Sequence, residues 1–208
     1  MTLDRLILSE IGTNCYILTD DTGEGAVIDP GGFNDALVSA VKNQMKTLKY
    51  ILLTHGHFDH ILGVYDLKEL TGATVAIHEQ DADCLLDDKL SMACSGREKQ
   101  KYLKADLLLK GGETLFFGNT ELEVLHTPGH TKGGVCYIDK KDKIIFSGDT
   151  LFHSTAGRTD FRGGSIMELL VSLKKLSEYP DDYEVMPGHN ISTVLGREKV
   201  KNRFMRKL

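Results

Sequence analysis

Short apolar runs separated by glycine and aspartate make up the beginning of the chain. Such runs occupy residues 6–8, 15–18 and 26–28, and Asp-Pro-Gly-Gly at 29–32 ends the last of them. Turn-forming residues between short β-favouring runs are typical of strands joined by tight connections. The pattern therefore predicts an antiparallel meander.

The spacing of the apolar residues then changes from that of strands to that of helices. Apolar residues at helical spacing predict a helix over 33–45, and an apolar run predicts a strand at 50–53 with a helix over 61–70 behind it. A second half repeats this order loosely, which predicts a mixed α/β (α+β) fold. Its predicted elements are strands at 74–77, 114–117, 121–125, 135–138, 143–146 and 183–187, and helices through 84–86, over 166–176 and in the basic tail.

Two segments stand apart from this pattern. Residues 87–106 have no clean periodicity, and two interpretations stay open, a lid over a functional site and a plain surface loop. Ser165 and Glu168 have the spacing of a capping box, which predicts that the helix over 166–176 begins there.

Length and charge narrow the class of protein. A chain of 208 residues with 41% hydrophobic content is long enough for one sizeable core, so we expect a single domain over 1–208. The net charge of −5 argues against nucleic-acid or anionic-membrane partners. Residues 197–207 nevertheless carry six basic side chains and one acidic one, and either a solvated helix or attraction of an anionic substrate would explain them.

The sequence also indicates where the protein works. Charged residues stand near the N-terminus, where a signal peptide needs an apolar stretch, and no run approaches the ~18 apolar residues of a membrane span. The four cysteines lack Cys-x-x-Cys spacing, so neither a disulfide framework nor a zinc knuckle is indicated. We expect a cytoplasmic protein that is a monomer or a small homo-oligomer.

One loop carries the strongest chemical signal. His55, His57, Asp59 and His60 fall within six residues, directly after the apolar run 50–53. Imidazole nitrogens and carboxylate oxygens are ligands of zinc, iron and manganese. Four of them in so short a loop can hardly all reach one ion, so the loop predicts two metal ions. A polar turn would explain one histidine but not this cluster.

Three further donors follow later strands. His130, Asp149 and His189 each stand beside a glycine just after a predicted strand. Glycine lets the backbone turn tightly, and ligands carried by separate rigid elements can gather into one shell. Each of the three is a weak signal alone, but together with the first loop they form a set.

A His-x-His-x-Asp-His loop followed by His, Asp and His at later strand ends resembles the signature of the metallo-β-lactamase superfamily, over nearly the whole chain. The resemblance implies an αβ/βα four-layer sandwich, in which helices flank two mixed β-sheets. It also implies two divalent metal ions, Zn²⁺ in the first place, with Fe or Mn as alternatives. It assigns His55, His57 and His130 to one ion and Asp59, His60 and His189 to the other, with Asp149 as the bridge.

Within that superfamily, Ser-Gly-Asp-Thr-Leu-Phe at 147–152 is similar to the glyoxalase II group. True β-lactamases lack the bridging aspartate at 149. The chain stops one helix after His189, so it resembles a short form without the C-terminal helical domain that grips glutathione. The glutathione-contacting Lys and Tyr of that group fall at Arg158 and Asp160. Arg158 is therefore a predicted substrate-binding residue, whereas Asp160 cannot replace an aromatic hydroxyl.

The function that the resemblance implies is hydrolysis of a small-molecule thioester, of the hydroxyacylglutathione hydrolase type, by hydroxide between two metal ions. Asp59 is then a ligand that also orients the nucleophile. The run 157–161 is shared with persulfide dioxygenases, in which a single iron would use His55 or His57, His130 and Asp149. That alternative stays open, as does a lactonase or esterase on the same metal pair. A non-catalytic module is disfavoured, because no expected ligand is missing.

Overall fold

Two six-stranded sheets form the centre of the computed structural model, which describes residues 1–95 and 99–208. The first sheet contains, in spatial and chain order, β1 (Thr2–Leu8), β2 (Thr13–Thr19), β3 (Glu24–Ile28), β4 (Thr47–Leu52), β5 (Thr74–His78) and β6 (Leu107–Leu109). After it come β7 (Thr114–Phe117), β8 (Thr120–His126), β9 (Val135–Asp139), β10 (Ile144–Gly148), a hairpin of β11 (Leu151–Phe152) and β12 (Thr155–Ala156), β13 (Glu184–Pro187) and β14 (Thr193–Val194). The second sheet has the order β14-β13-β10-β9-β8-β7.

Both sheets are mixed. Strands β1, β2 and β3 pair antiparallel, as the predicted meander requires, and β3 to β6 pair parallel. In the second sheet only β10 and β13 pair parallel. The helices are α1 (Asp35–Gln44), α2 (Phe58–Ile61), α3 (Val64–Thr71), α4 (Ile166–Ser177) and α5 (Leu195–Lys201), with 3₁₀ turns at Ala82–Leu85 and Ala93–Ser95. The predicted class, two mixed sheets flanked by helices, is confirmed.

Alternation along the central strands divides the core into layers. In β2, Cys15 and Ile17 pack into the cluster that contains residues of α1 and α3, while Tyr16 and Leu18 pack into the cluster shared by the two sheets. A third cluster lies between the second sheet and α4. Because both faces of such strands are buried, they read in the sequence as continuous apolar runs.

Two of the predicted helices differ from the observed ones, the first in where it begins and the second in its type. The helix over 61–70 is broken into α2 and α3, because the chain at Gly63 contacts the 29–32 turn: its N–H donates to Pro30 O at 2.8 Å. A Cβ at Gly63 would lie 2.3 Å from the Gly32 carbonyl oxygen. The helix through 84–86 is only a 3₁₀ turn, since the Cys84 carbonyl accepts from Gln100 Nε2 at 2.7 Å instead of continuing a helix.

The predicted cap of α4 is confirmed, and some other predictions concern residues outside the described ranges. Ser165 caps α4, and its Oγ accepts from Glu168 N at 3.3 Å. Strands β6 and β14 and the β11–β12 hairpin have three residues or fewer, too short for a periodic pattern to show them. Of the irregular segment at 87–106, residues 96–98 lie outside the described residues. No helix in the described ranges has the length and apolar character needed to cross a membrane.

A buried glutamate on α5 ties the end of the chain to the second sheet and to the β11–β12 hairpin. Glu198 is fully buried, and its Oε2 accepts from Ser154 N at 2.8 Å and from Asn202 Nδ2 at 2.9 Å. Its Oε1 accepts from Thr193 Oγ1 at 2.7 Å. Burial by itself raises the pKa of Glu198, but these hydrogen bonds bring it below the ordinary value.

We expect Glu198→Gln to destabilise the fold by about 1–3 kcal/mol at neutral pH, because an amide turns one acceptor oxygen into a donor that faces other donors. Since the folded-state pKa is lowered, the carboxylate's contribution is present above its ordinary pKa and is lost as the pH falls. Urea unfolding at neutral and acid pH should show the gap between wild type and variant narrowing in acid. The exposed Glu178→Gln is the matched control and should change stability by less than about 0.5 kcal/mol; equal loss in both variants would contradict the role of Glu198.

Candidate metal centre

All seven predicted ligands converge at one edge of the two sheets. The loop after β4 and the helix α2 carry the first four, while His130, Asp149 and His189 follow β8, β10 and β13. Their donor atoms form three groups, each within 4.8 Å: His55, His57 and His130; His55, His60 and Asp149; Asp59, His60 and His189. Asp149 Oδ2 lies 3.5 Å from His130 Nε2 and 3.7 Å from His189 Nε2, so its carboxylate stands between the first group and the last.

Hydrogen bonds on the outer side of three rings fix which nitrogen faces the centre. His130 Nδ1 donates to Arg158 O at 2.8 Å, and His189 Nδ1 donates to Gly12 O at 3.3 Å. His60 Nδ1 lies 2.9 Å from a carboxylate oxygen of Asp29. With the proton on Nδ1, the Nε2 lone pair of each ring is directed into the cluster, as in metal-bound histidines held by an outer partner.

The Asp29 carboxylate also sets the orientation of His55. It accepts from Thr54 N at 2.8 Å and from Thr54 Oγ1 at 2.6 Å. Since the Thr54 hydroxyl donates its proton to Asp29, it accepts from His55 Nδ1, which lies 3.1 Å away. His55 Nε2 is then left with its lone pair facing the centre, and one carboxylate orients two predicted ligands, His55 and His60.

The converging nitrogen and oxygen atoms of the seven predicted ligands suit divalent cations. His57 Nδ1 and His130 Nε2 lie 2.9 Å apart, and the Nε2 lone pairs of His60 and His189 face each other at 3.3 Å. His55 Nε2 and Asp149 Oδ1 are buried without a hydrogen-bond partner among the described residues. Converging acceptors of this kind repel one another unless a positive charge lies between them. The cluster is therefore suited to hold divalent metal ions.

The pKa values of the histidines in the site also favour a bound cation. Burial, followed by the nearby His60 and His57, lowers the pKa of His55 well below its ordinary value. Burial and then His130 lower the pKa of His57 to about 3. Burial also acts to lower the pKa of His60, but the surrounding carboxylates raise it above its ordinary value. Those carboxylates are Asp59, Asp29 and Asp149. The neutral imidazoles of His55 and His57, together with carboxylates that favour positive charge at His60, suit a bound cation.

Helix α2 holds Asp59 against the first sheet. The carboxylate accepts from Thr13 Oγ1 at 3.0 Å and lies 3.1 Å from His189 Nε2. Burial by itself raises the pKa of Asp59, but the neighbouring His60 and His189 bring it below the ordinary range, so Asp59 stays ionised. Position 31, in the turn before α1, must be glycine, because a Cβ there would lie 1.7 Å from the Asp59 carbonyl oxygen.

A cavity of about 360 Å³ opens above the cluster. Its polar floor includes His57, Asp59, His130, Asp149 and His189, and its apolar walls include Ile11, Phe152 and Phe161. Arg158 also lines it, but Asp160 accepts two bonds from its guanidinium, at 2.7 and 2.6 Å. The same guanidinium lies 3.8 Å from the centre of the Phe161 ring. A substrate group must therefore share Arg158 with Asp160 or displace Asp160.

Several residues around the centre lie outside the predicted set. Asp29 reads in the sequence as a turn residue before Pro30, although it follows an apolar run just as Asp149 does, and that was the available signal. Thr13 has no signal at all, since a threonine within a strand is common. His78 and His126 stack on each other with ring centroids 4.0 Å apart, and neither joins the metal-binding groups among the described residues.

The chain is similar to known proteins along nearly its whole length. The family model described as the Metallo-beta-lactamase superfamily matches residues 8–189. The hydroxyacylglutathione hydrolase GloC of Haemophilus influenzae is 32% identical over 214 residues, which cover 99% of this chain and 98% of that protein. The crystal structure of BLEG-1 B3 metallo-beta-lactamase has a TM-score of 0.92 and 36% identity, with 98% and 99% of the two chains covered. The crystal structure of TTHA1623 in a di-iron-bound form has a TM-score of 0.86 and 33% identity, with 97% and 99% covered.

We expect Asp29→Asn to weaken metal binding by at least about tenfold, because the amide no longer accepts from both Thr54 and His60. Competition against a chromophoric chelator measures the affinity. Asp139→Asn is the matched control, since Asp139 is a buried aspartate that accepts backbone N–H bonds in the turn after β9, away from the cluster. Unchanged affinity in Asp29→Asn, with a native fold, would show that Asp29 does not orient the ligands.

Proposed function

The chain belongs to the metallo-beta-lactamase superfamily and is a metallo-hydrolase, and we propose that its substrate is a small-molecule thioester of the hydroxyacylglutathione type. The resemblance read from the sequence is thus confirmed at the level of the family. The observation that carries the proposal is the position of Asp149 between two groups of histidines beneath an open cavity. Similarity to GloC supports the thioester class.

We propose that His55, His57 and His130 hold one divalent ion and Asp59, His60 and His189 the other, with Asp149 between them. Bound there, two divalent ions would lower the pKa of a water toward neutrality and polarise a carbonyl oxygen. Asp59 stays ionised and orients the attacking water by accepting a hydrogen bond from it. The thiol released from a thioester is acidic enough to leave with little help from a general acid.

The walls of the cavity give the substrate its orientation. Phe161 contacts His57 and His130 edge-on, with ring centroids 5.6 and 6.4 Å away, so it covers the cluster on one side. Phe152 and the exposed Ile11 extend the apolar surface on the others. A substrate with an aliphatic chain fits these walls while its carbonyl meets the polar floor. Arg158 stays a predicted substrate-binding residue.

Zinc is the metal we propose first, because histidine and aspartate donors around a water position suit it. Similarity to TTHA1623, whose structure is of a di-iron-bound form, supports iron as the alternative. A second candidate activity is β-lactam hydrolysis, which the similarity to BLEG-1 B3 metallo-beta-lactamase favours; Asp149, which the resemblance sets against true β-lactamases, places it second. We propose a cytoplasmic location for the protein, in keeping with a soluble metabolite as substrate.

Asp149→Ala should lose bound metal and hydrolysis together, because the carboxylate between the two predicted ion positions is removed. We expect at least about a hundredfold loss of kcat/KM, since even groups that only support ligands are worth 10–100-fold. Metal content by elemental analysis and hydrolysis of the same preparation are measured side by side. Asp142→Ala, at an exposed aspartate remote from the cluster, should change neither. A metal-free Asp149→Ala protein with full activity would end the proposal.

A substrate panel tests the thioester class directly. The metal-loaded protein is assayed with S-lactoylglutathione and other thioesters beside a lactone, a β-lactam and, with oxygen uptake, glutathione persulfide. We expect the highest kcat/KM on a thioester and two metal ions per chain. Preference for the β-lactam would favour the second candidate, whereas one iron per chain with oxygen consumption would replace hydrolysis by dioxygenation.

A further inference from the structure

We propose that a second cavity, which shares His57 with the central one, binds an aliphatic carboxylate carried by the substrate, through Lys132 and Arg162. The inference rests on the proposed thioesterase function and names a feature of its substrate. The second cavity has a volume of about 260 Å³. His57 lines both cavities, so a substrate held over the metal centre can extend past this ring into the second one.

The two cations at this cavity have no carboxylate partner in the part of the chain that the structure describes. Lys132 and Arg162 both line it and are exposed, and no Asp or Glu of the described residues lies within 4.0 Å of either charged group. Arg158, at the central cavity, differs, because Asp160 and Phe161 already occupy its guanidinium. Of the cations at the two cavities, Lys132 and Arg162 are thus the ones free to receive an anion.

The two loops that carry these cations are held against each other. His126 Nε2 lies 2.9 Å from the Lys132 carbonyl oxygen, which fixes that loop. A Cβ at Gly163, whose φ is +83°, would lie 3.4 Å from Lys132 Cγ, so the lysine stem passes closely over this glycine. Arg162 is the residue before it. The ammonium and guanidinium groups therefore belong to one rim rather than to two separate surfaces.

The acidic groups of the same cavity do not form ion pairs with these cations. Asp81 Oδ1 accepts from Gly133 N at 2.7 Å and Oδ2 from Gly56 N at 3.1 Å, so both of its oxygens are held by backbone N–H groups. Asp83 is exposed, and its carboxylate forms no ion pair with Lys132 or Arg162. Burial, and then Asp81, raise the pKa of Cys84 to about 12, so this thiol is neutral. The Arg162 guanidinium, which no described carboxylate occupies, can therefore receive a substrate carboxylate through two parallel bonds.

Matched thioesters test the proposal and show which end of the substrate carries the carboxylate. The carrier arm compares the acetyl thioesters of N-acetylcysteine and N-acetylcysteamine, which differ by one carboxylate. The acyl arm compares the succinyl and butyryl thioesters of N-acetylcysteamine. We expect wild type to prefer the carboxylate in one arm, and Lys132→Ala with Arg162→Ala to raise its KM about tenfold at unchanged kcat, with the neutral partner altered less than twofold. The preference should shrink at high ionic strength.

Two further double variants serve as controls. Lys174→Ala with Arg206→Ala removes two exposed cations elsewhere and should leave the preference intact, and the charge-keeping pair Lys132→Arg with Arg162→Lys should retain most of it. The proposal is overturned if wild type shows no carboxylate preference in either arm, or if the double alanine variant keeps it. It is also overturned if Arg158→Ala alone abolishes it.

A binding measurement separates this inference from the proposed function. Calorimetry on the metal-loaded protein compares S-butyl-N-acetylcysteine with S-butyl-N-acetylcysteamine, neither of which can be hydrolysed. Tighter binding of the carboxylate that depends on Lys132 and Arg162, in a protein that hydrolyses no thioester, would keep the subsite and remove the thioesterase. Rapid hydrolysis of thioesters with no role for this pair would do the reverse.

Discussion

The buried carboxylate of Asp29 is the constraint on which the metal centre depends. It is 1% exposed, has a positive φ of 51°, and receives bonds from Thr54 and His60. Aspartate tolerates this left-handed backbone better than most residues, and the turn aims its carboxylate across the end of β4. Because the same group orients His60 directly and His55 through Thr54, the loop and α2 form one unit with the first sheet.

The second sheet supplies the other ligands, so the distance between the sheets sets the geometry of the whole site. Buried hydrogen bonds fix that distance beside the cluster. Tyr16 in β2 donates to Pro187 O at 2.7 Å, and Tyr137 in β9 donates to Leu53 O at 2.8 Å. Each bond joins a tyrosine of one sheet to the chain just before a ligand of the other. The apolar core between the sheets therefore acts on the chemistry, since a change in sheet spacing would move His189 relative to His60.

Much of this arrangement follows from the sequence, and what does not has a physical reason. Strand ends followed by His55, His130 or Asp149 are visible because ligands of a cluster interrupt apolar runs at regular places. The role of Asp29 is not predicted from the sequence, because it depends on the direction of a turn, which only tertiary contacts determine. The break between α2 and α3 is not predicted either, since helical periodicity continues through Gly63 while its close approach to the 29–32 turn is a property of the folded chain.

The chemistry and the choice of substrate belong to different parts of the molecule. Ligands such as His60 are buried and held on two sides, so their positions tolerate little change. Arg158, Asp160 and Arg162 stand instead on one exposed loop, which touches the cluster through Phe161 and the Arg158 carbonyl. Exposed ion pairs such as Arg158 with Asp160 contribute little to stability. Substitutions at the exposed side chains of this loop can therefore change which substrate is bound while leaving the predicted metal ligands in place.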